Sequence, residues 1–366
     1  MTTGLYIHIP FCKQKCNYCD FASFAGRENL ISAYLEALDK SAAVSPERKY
    51  TTLYVGGGTP SLFSAGQLEE LCGLIARYFG PVSHFEESTI EANPESLTAE
   101  KLSVLKRAGF SRISMGLQSF SDTELKTLGR VHTVQTFLSA YQAARQAEFD
   151  NINVDLIAGV PGQSLQSFLD GLKKVAALRP EHLSVYGLQI EEGTPFFERG
   201  IVCDQMLMRQ MLEETHVYLQ EAGYHHYEIS NFALPGREAK HNTSYWHNCE
   251  YLGLGSGAAS YLGGVRSQNT DDITEFIARI NAGQSPVVYR EKLEGKEHEG
   301  ENLMLGLRLL DGIELTPLQE QLFGQEIEKH IQNGLLERAE KKVKLTIEGL
   351  FLANEVFYSF VAPFDE

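Results

Sequence analysis

Cys12, Cys16 and Cys19 stand in the run Ile7-His8-Ile9-Pro10-Phe11-Cys12-Lys13-Gln14-Lys15-Cys16-Asn17-Tyr18-Cys19, three thiols spaced C-x3-C-x2-C just after a strand-like segment. Three thiolates leave one iron of a [4Fe-4S] cube open to an outside ligand, so such a cluster can both deliver an electron and grip a substrate. S-adenosyl-L-methionine suits that open iron, because its methionine amine and carboxylate chelate it while the sulfonium faces the electron donor. A structural zinc knuckle, with His8 or a distant residue as fourth ligand, is the competing reading. Zinc fingers usually pair two close cysteines with a second pair farther on, and no such regular pair follows here. Tyr18 would shield one side of the cluster and could stack on an adenine; otherwise it is an ordinary half-buried aromatic.

Further polar and glycine-rich positions recur where strand-like runs end. Gly56-Gly57-Gly58-Thr59-Pro60 follows such a run, and its glycines would let backbone amides and carbonyls approach the methionine end of a cofactor, although a triple glycine alone is equally a tight turn. Glu91 could hydrogen-bond ribose hydroxyls or the methionine amine, with Gln118, Arg130 and Asp155 around the same mouth; singly, each is as readily a solvated or paired structural residue. Asp155 lies in the apolar run Asn153-Val154-Asp155-Leu156-Ile157, where a carboxylate wants a partner. The run Gly253-Leu254-Gly255-Ser256-Gly257-Ala258-Ala259 lacks the G-x-G-x-x-G spacing of a dinucleotide fingerprint and reads as backbone closely approaching a ligand or a neighbouring strand. His241-Asn242-Thr243-Ser244-Tyr245-Trp246-His247 sets the chain's one Trp among imidazoles and a Tyr. Imidazole ligates heme iron and flat aromatics pack on porphyrins; a hydrogen-bonded surface loop is the other reading.

The elements that must position these groups follow from period and caps. Strand-like runs at Leu5 to Ile9, Thr52 to Val55, Ser88 to Ala92, Arg112 to Leu117, Ile152 to Ile157 and His182 to Leu188 alternate with helical segments. The helices start at Ser64, Thr98 (stopped by Gly109), Thr133 and Ser164. Strand-then-helix repetition predicts a parallel sheet, doubly wound or curled into part of a barrel, with the site on the C-terminal edges of its strands. A helix from Asp204 to Ala222, a strand from Tyr224 to Ile229 and a connector from Phe232 to Lys240 come next. Helices at Ile273 to Ala282, Glu301 to Leu310 and Gln325 to Asn333, then a hairpin of Leu335 to Arg338 with Val343 to Thr346, suggest a small winged-helix-like module. The expected division is 1–235, barrel; 236–289, connector and heme-contact region; and 290–366, a smaller α+β winged-helix-like domain.

A chain of 366 residues with 43% hydrophobic and 10% aromatic content is long enough for a large α/β domain plus a smaller one. Its formal charge of −16 argues against broad capture of nucleic acid or anionic lipid. The start, Met1-Thr2-Thr3-Gly4, enters a strand at once without room for a signal peptide, and no apolar run reaches membrane-spanning length, which predicts a cytoplasmic protein. Six cysteines, three of them clustered, are no secreted disulfide framework, and Cys72, Cys203 and Cys249 read as small buried residues.

Together these residues resemble the radical S-adenosylmethionine superfamily and, within it, the oxygen-independent coproporphyrinogen III oxidase group. The likeness runs through Tyr6-Ile7-His8-Ile9-Pro10-Phe11-Cys12, Gly56-Gly57-Gly58-Thr59-Pro60, Gly116-Leu117-Gln118-Ser119-Phe120, Asp155-Leu156-Ile157 and the terminal module. The resemblance implies a partial (β/α)6 barrel in which Tyr6, Gly57, Glu91 and Ala259 touch the cluster-bound cofactor. It also implies that Tyr18, Gly58, Thr59, Gln118, Arg130, Asp155 and Gln189 surround a second cofactor molecule.

Two features depart from the oxidase pattern. The oxidase run continues C-x3-C-x2-C-x-C, whereas Phe21 holds the place of the fourth cysteine, and the oxidase has an N-terminal extension where only Met1 to Leu5 precede Tyr6. Both point away from decarboxylation. His241-Asn242-x-x-Tyr245-Trp246 resembles instead the signature of the group's heme chaperone branch, whose members bind heme and deliver it to respiratory hemoproteins. That likeness implies heme as cargo, with His241 as the natural contact beside Tyr245 and Trp246. The partners it implies are recipient hemoproteins, some membrane-associated, so that a peripheral membrane location is also open. The rival enzyme would decarboxylate two propionates of coproporphyrinogen III. A nucleic-acid protein using Lys341, Lys342 and Lys344 is opposed by the acidic balance.

Overall fold

The computed structural model describes residues 3–363, so Met1 and Thr2 before the first strand, and Phe364 to Glu366 at the end of the terminal domain, lie outside it. Six strands are mutually parallel in sequence order: β1 (Thr3–Ile9), β2 (Tyr50–Gly57), β3 (Glu87–Ala92), β4 (Arg112–Gln118), β5 (Ile152–Ala158) and β6 (His182–Gly187). Most of their residues are buried, as strands covered on both faces require. Helices return the chain between them, giving the parallel α/β sheet that the strand and helix alternation predicts and the partial (β/α)6 barrel that the resemblance implies.

Helix starts follow their caps. Ser64 accepts from the Gln67 amide while Gln67 answers onto the Ser64 amide, a reciprocal pair opening the helix Ala65–Phe79. Leu68, Leu71, Leu74 and Ile75 of that helix are buried, each contributing about 1.5–3 kcal/mol by leaving water. Thr98, Thr133, Ser164 and Asp204 each accept from the amide three residues on, and Gly109 closes its own helix in the left-handed conformation. The helix Ile31–Ala43, absent from the sequence expectation, packs Ile31, Tyr34, Leu35 and Leu38 into the main core.

Beyond β6 the sheet grows at both edges to twelve strands. Asn231–Ala233 pairs antiparallel with β6, so the expected connector from Phe232 begins as strand. Tyr251–Leu254 runs parallel to β1 on its other side and leads into the antiparallel meander Ala259–Leu262, Val265–Asn269 and Val287–Glu291. Residues 236–289 therefore continue the main sheet, and Leu252, Leu254, Ile273 and Phe276 share its core.

The terminal unit has a separate apolar cluster around Leu303, Leu307, Phe323, Ile327, Val343 and Phe360. Its two longer helices are Gly295–Gly306 and Pro317–Gln332, displaced toward the N-terminus from the expected Glu301 and Gln325 starts. The hairpin Leu336–Ala339 with Lys342–Leu345 joins Ile313–Glu314 in a three-stranded sheet. The unit docks on the barrel through backbone, the Leu310 amide donating to the Tyr227 carbonyl at 3.0 Å, and through Arg209 paired with Glu348.

Candidate functional site

The three cysteines sit on a loop closed at its root by a two-residue parallel bridge, Phe11–Cys12 against Phe24–Ala25. The turn after a short helix, Asp122–Thr127, clamps the loop's far side: the Asn17 amide donates to the Leu128 carbonyl at 2.9 Å and its side chain to the Thr127 carbonyl at 2.8 Å. Gly58 and Thr59 donate their amides to the Ile9 and Phe11 carbonyls at 2.8 Å each, which ties the end of β2 to the entry of the loop.

A hydrogen-bonded arc joins two of the thiols. Thr59 Oγ1 donates to Cys12 Sγ at 3.5 Å and accepts from Asn93 Nδ2 at 3.0 Å. Asn93 Oδ1 accepts from Arg130 at 2.6 Å, and Arg130 also donates to Cys16 Sγ at 3.5 Å and to the Gly116 carbonyl at 2.9 Å. Arg130 keeps its charge because Tyr18, Cys16 and Glu95 outweigh the burial that opposes it. Burial pushes the Cys12 and Cys19 thiols up, so a bound cation would be needed to ionise them fully. Asn93, just beyond the end of β3, is the joint of this arc. In the variant Asn93→Ala we expect a loss of about 1–3 kcal/mol from the stranded partners, read as a lower urea midpoint; an unmoved midpoint would remove Asn93 from this role.

All three cysteines are free and partly buried. Among the described residues, no three His, Cys, Asp or Glu side chains converge tightly enough to hold a single metal ion. A cube that takes one thiolate on each of three irons needs no such convergence. A pinned loop carrying free thiols, two of them hydrogen-bonded by Thr59 and Arg130, fits that donor set.

On the other side of the mouth, Glu91 Oε2 accepts from the Gly57 amide at 2.9 Å and Oε1 from the Tyr54 hydroxyl at 2.7 Å. Burial raises its carboxyl to about 7, against these two hydrogen bonds. Gly57 has φ 111°, and a Cβ there would stand 2.4 Å from the His8 ring, so both conformation and space require glycine. His8 Nε2 lies 2.8 Å from the Ala22 carbonyl, which can only accept, so Nδ1 is left to accept from the Tyr6 hydroxyl at 2.8 Å. Tyr6 thus points into the mouth from β1.

Gln118, at the tip of β4, holds φ 72° beside a register shift against β5, an uncommon backbone conformation for a side-chain-bearing residue at a strand end. Asp155 accepts from Asn153 Nδ2 at 2.7 Å, and burial raises its carboxyl. Tyr18 packs with a satellite apolar cluster containing Leu128, Ile157 and Leu188. Gln189 lies just beyond β6 and is exposed. Ala259 is exposed at the start of its strand, and a Cβ on Gly253 would fall 2.0 Å from the Ala259 carbonyl oxygen; the close approach there is to a neighbouring strand.

The segment from His241 departs from expectation. Lys240–Trp246 is a helix whose first amides donate to both oxygens of Glu87, on β3. His241 is 1% exposed, with Nδ1 on Thr52 Oγ1 at 2.8 Å and Nε2 on the Tyr245 hydroxyl at 2.7 Å. Burial drives its imidazole down to about 3. With both nitrogens engaged it has no free lone pair for iron in this arrangement, and it holds Tyr245 and the helix in place. Trp246, at the helix end, carries the Arg308 guanidinium on its ring.

Comparisons agree with this architecture. Residues 6–175 match the model of the radical SAM superfamily and residues 293–352 that of the HemN C-terminal domain. The coproporphyrinogen III oxidase HemN of Escherichia coli, described as a radical SAM enzyme, superposes with a TM-score of 0.86 over 99% of this chain and 90% of its own, at 24% identity. Within that superfamily, the chain belongs to the family of the HemW proteins. It is 36% identical to the heme chaperone HemW of Bacillus subtilis over 97% of this chain and 98% of that protein. The Escherichia coli heme chaperone HemW is 35% identical over 98% of each.

Proposed function

We propose that this protein is a heme chaperone: it holds a [4Fe-4S] cluster and S-adenosyl-L-methionine, binds heme as cargo and passes it to hemoproteins, respiratory ones among them. The observation that carries this reading is similarity over nearly the whole chain to proteins named heme chaperones. Cys12, Cys16 and Cys19 hold the cluster, which supplies an electron and an open iron when bound. Thr59 and Arg130 hydrogen-bond two of its thiolates, damping their charge. Tyr6, Gly57, Glu91 and Ala259 orient the cofactor on that iron. Tyr18, Gly58, Thr59, Gln118, Arg130, Asp155 and Gln189 line the remainder of the mouth for a second cofactor molecule or its competitor.

Heme lies beside the helix Lys240–Trp246, flanked by Tyr245 and Trp246, with His241 positioning Tyr245. The protein works in the cytoplasm, and any membrane contact comes through a recipient. No helix among the described residues is long and apolar enough to cross a membrane.

Reconstituted protein, titrated anaerobically with hemin, is expected to develop a saturable Soret band and to give it up to an apo-hemoprotein. The same preparation, given coproporphyrinogen III, S-adenosyl-L-methionine and a reductant, is expected to form no protoporphyrinogen. Stoichiometric protoporphyrinogen without heme uptake would replace the chaperone reading with the oxidase.

A further inference from the structure

The Arg308 guanidinium is held on an aromatic ring without a carboxylate in hydrogen-bonding contact. Arg308, just past the helix Gly295–Gly306 of the terminal unit, lies with its Cζ 4.2 Å over the Trp246 ring. Among the described residues it makes no side-chain hydrogen bond and has no carboxylate within 4.0 Å. Its Nε and the neighbouring Trp246 Nε1 are buried donors without acceptors. A buried unmade hydrogen bond of this kind costs stability, and a stacked guanidinium is pre-oriented for a planar two-oxygen acceptor.

Tyr186, on β6, is 41% exposed. Burial and the carboxylates of Asp155, Glu228 and Glu91 all raise its phenol. Glu228 lies near Arg308 on the same side, with Oε1 bound to the Ser230 amide at 2.9 Å and Oε2 unpartnered. Burial raises the Glu228 carboxyl, against the nearby Arg308 guanidinium, which lowers it.

We propose that Arg308, presented on the face of Trp246 by the terminal unit, is the receptor for a propionate carboxylate of a tetrapyrrole seated beside Tyr186 and the helix Lys240–Trp246. This rests on the heme reading above and adds to it the polar group that recognises the cargo. The ring packs on aromatic surface while the carboxylate supplies the acceptors that the stacked pair lacks. Binding then depends on both units, because Trp246 belongs to the barrel and Arg308 to the terminal unit.

The test compares hemin with hemin dimethyl ester, whose propionates carry no charge, on the full-length wild type and on Arg308→Gln. Wild type is expected to bind hemin about tenfold or more tightly than the ester, and Arg308→Gln to lose that factor for hemin while its ester affinity stays at the wild-type value. Equal hemin affinity in the two proteins overturns the proposal and leaves the heme reading standing. Loss of both ligands in the variant assigns Arg308 to holding the fold and likewise overturns it. Wild type that takes up neither tetrapyrrole overturns the heme reading and this one with it.

Discussion

Replacing Cys12, Cys16 and Cys19 together by Ala is expected to leave protein that stays colourless after anaerobic reconstitution, its iron falling from about four per chain to none. Each single thiol holds one corner, and two thiolates cannot retain the cube against loss to solvent. The loop itself is expected to persist, since Asn17, Phe24 and Gly58 fix it through backbone and amide hydrogen bonds that do not involve sulfur. Far-ultraviolet circular dichroism should therefore match wild type while the absorbance near 400 nm disappears. A brown triple variant with full iron content would place the cluster elsewhere in the chain.

The second large effect is electrostatic. Burial raises the Glu91 carboxyl from 4.5 to about 7 in the folded protein. The folded state therefore binds a proton that the unfolded chain has released between those two values. Stability from this group is fully present below about pH 4.5 and is lost as pH rises through 7. The Glu91→Gln variant keeps a neutral side chain that still accepts one of the two hydrogen bonds from Tyr54 and Gly57. Between about pH 5 and pH 8, wild type without cofactor is expected to lose up to about 3 kcal/mol relative to Glu91→Gln, less whatever solvent in the mouth screens. Urea unfolding of both proteins across that range measures the difference, and a gap that stays flat with pH would contradict the buried-carboxyl assignment.

Much of the barrel was legible because its signals are local. Apolar runs such as Ile152–Ala158 end in turn residues, and Ser64, Thr98, Thr133, Ser164 and Asp204 announce the helices that they cap. Ile31–Ala43 escaped notice for the converse reason: Leu30 stands at its cap position and makes no side-chain cap hydrogen bond. The helix Gly295–Gly306 is likewise uncapped at Glu294 and opens on glycine, so the sequence shows only its apolar end near Leu303. The meander strands Val265–Asn269 and Val287–Glu291 are short, the first half-buried and the second largely exposed, and Arg266, Ser267, Gln268 and Arg290 carry no apolar alternation.

The site divides in the same way. The cysteine spacing and the glycine run are contiguous and could be seen in the chain. The arc from Thr59 through Asn93 to Arg130 links residues 34 and 37 positions apart, and no local period encodes it. His241 was visible as a residue type suited to iron. Its engagement by Thr52, 189 positions away, is a product of the fold.

The open iron is most directly tested by electron paramagnetic resonance of the reduced, reconstituted protein with and without S-adenosyl-L-methionine. A three-thiolate cube should show a spectrum that changes shape and g values when the cofactor reaches its free corner. An unchanged spectrum, or anaerobically purified protein carrying one tightly held zinc and no cluster signal, would contradict the assignment of Cys12, Cys16 and Cys19.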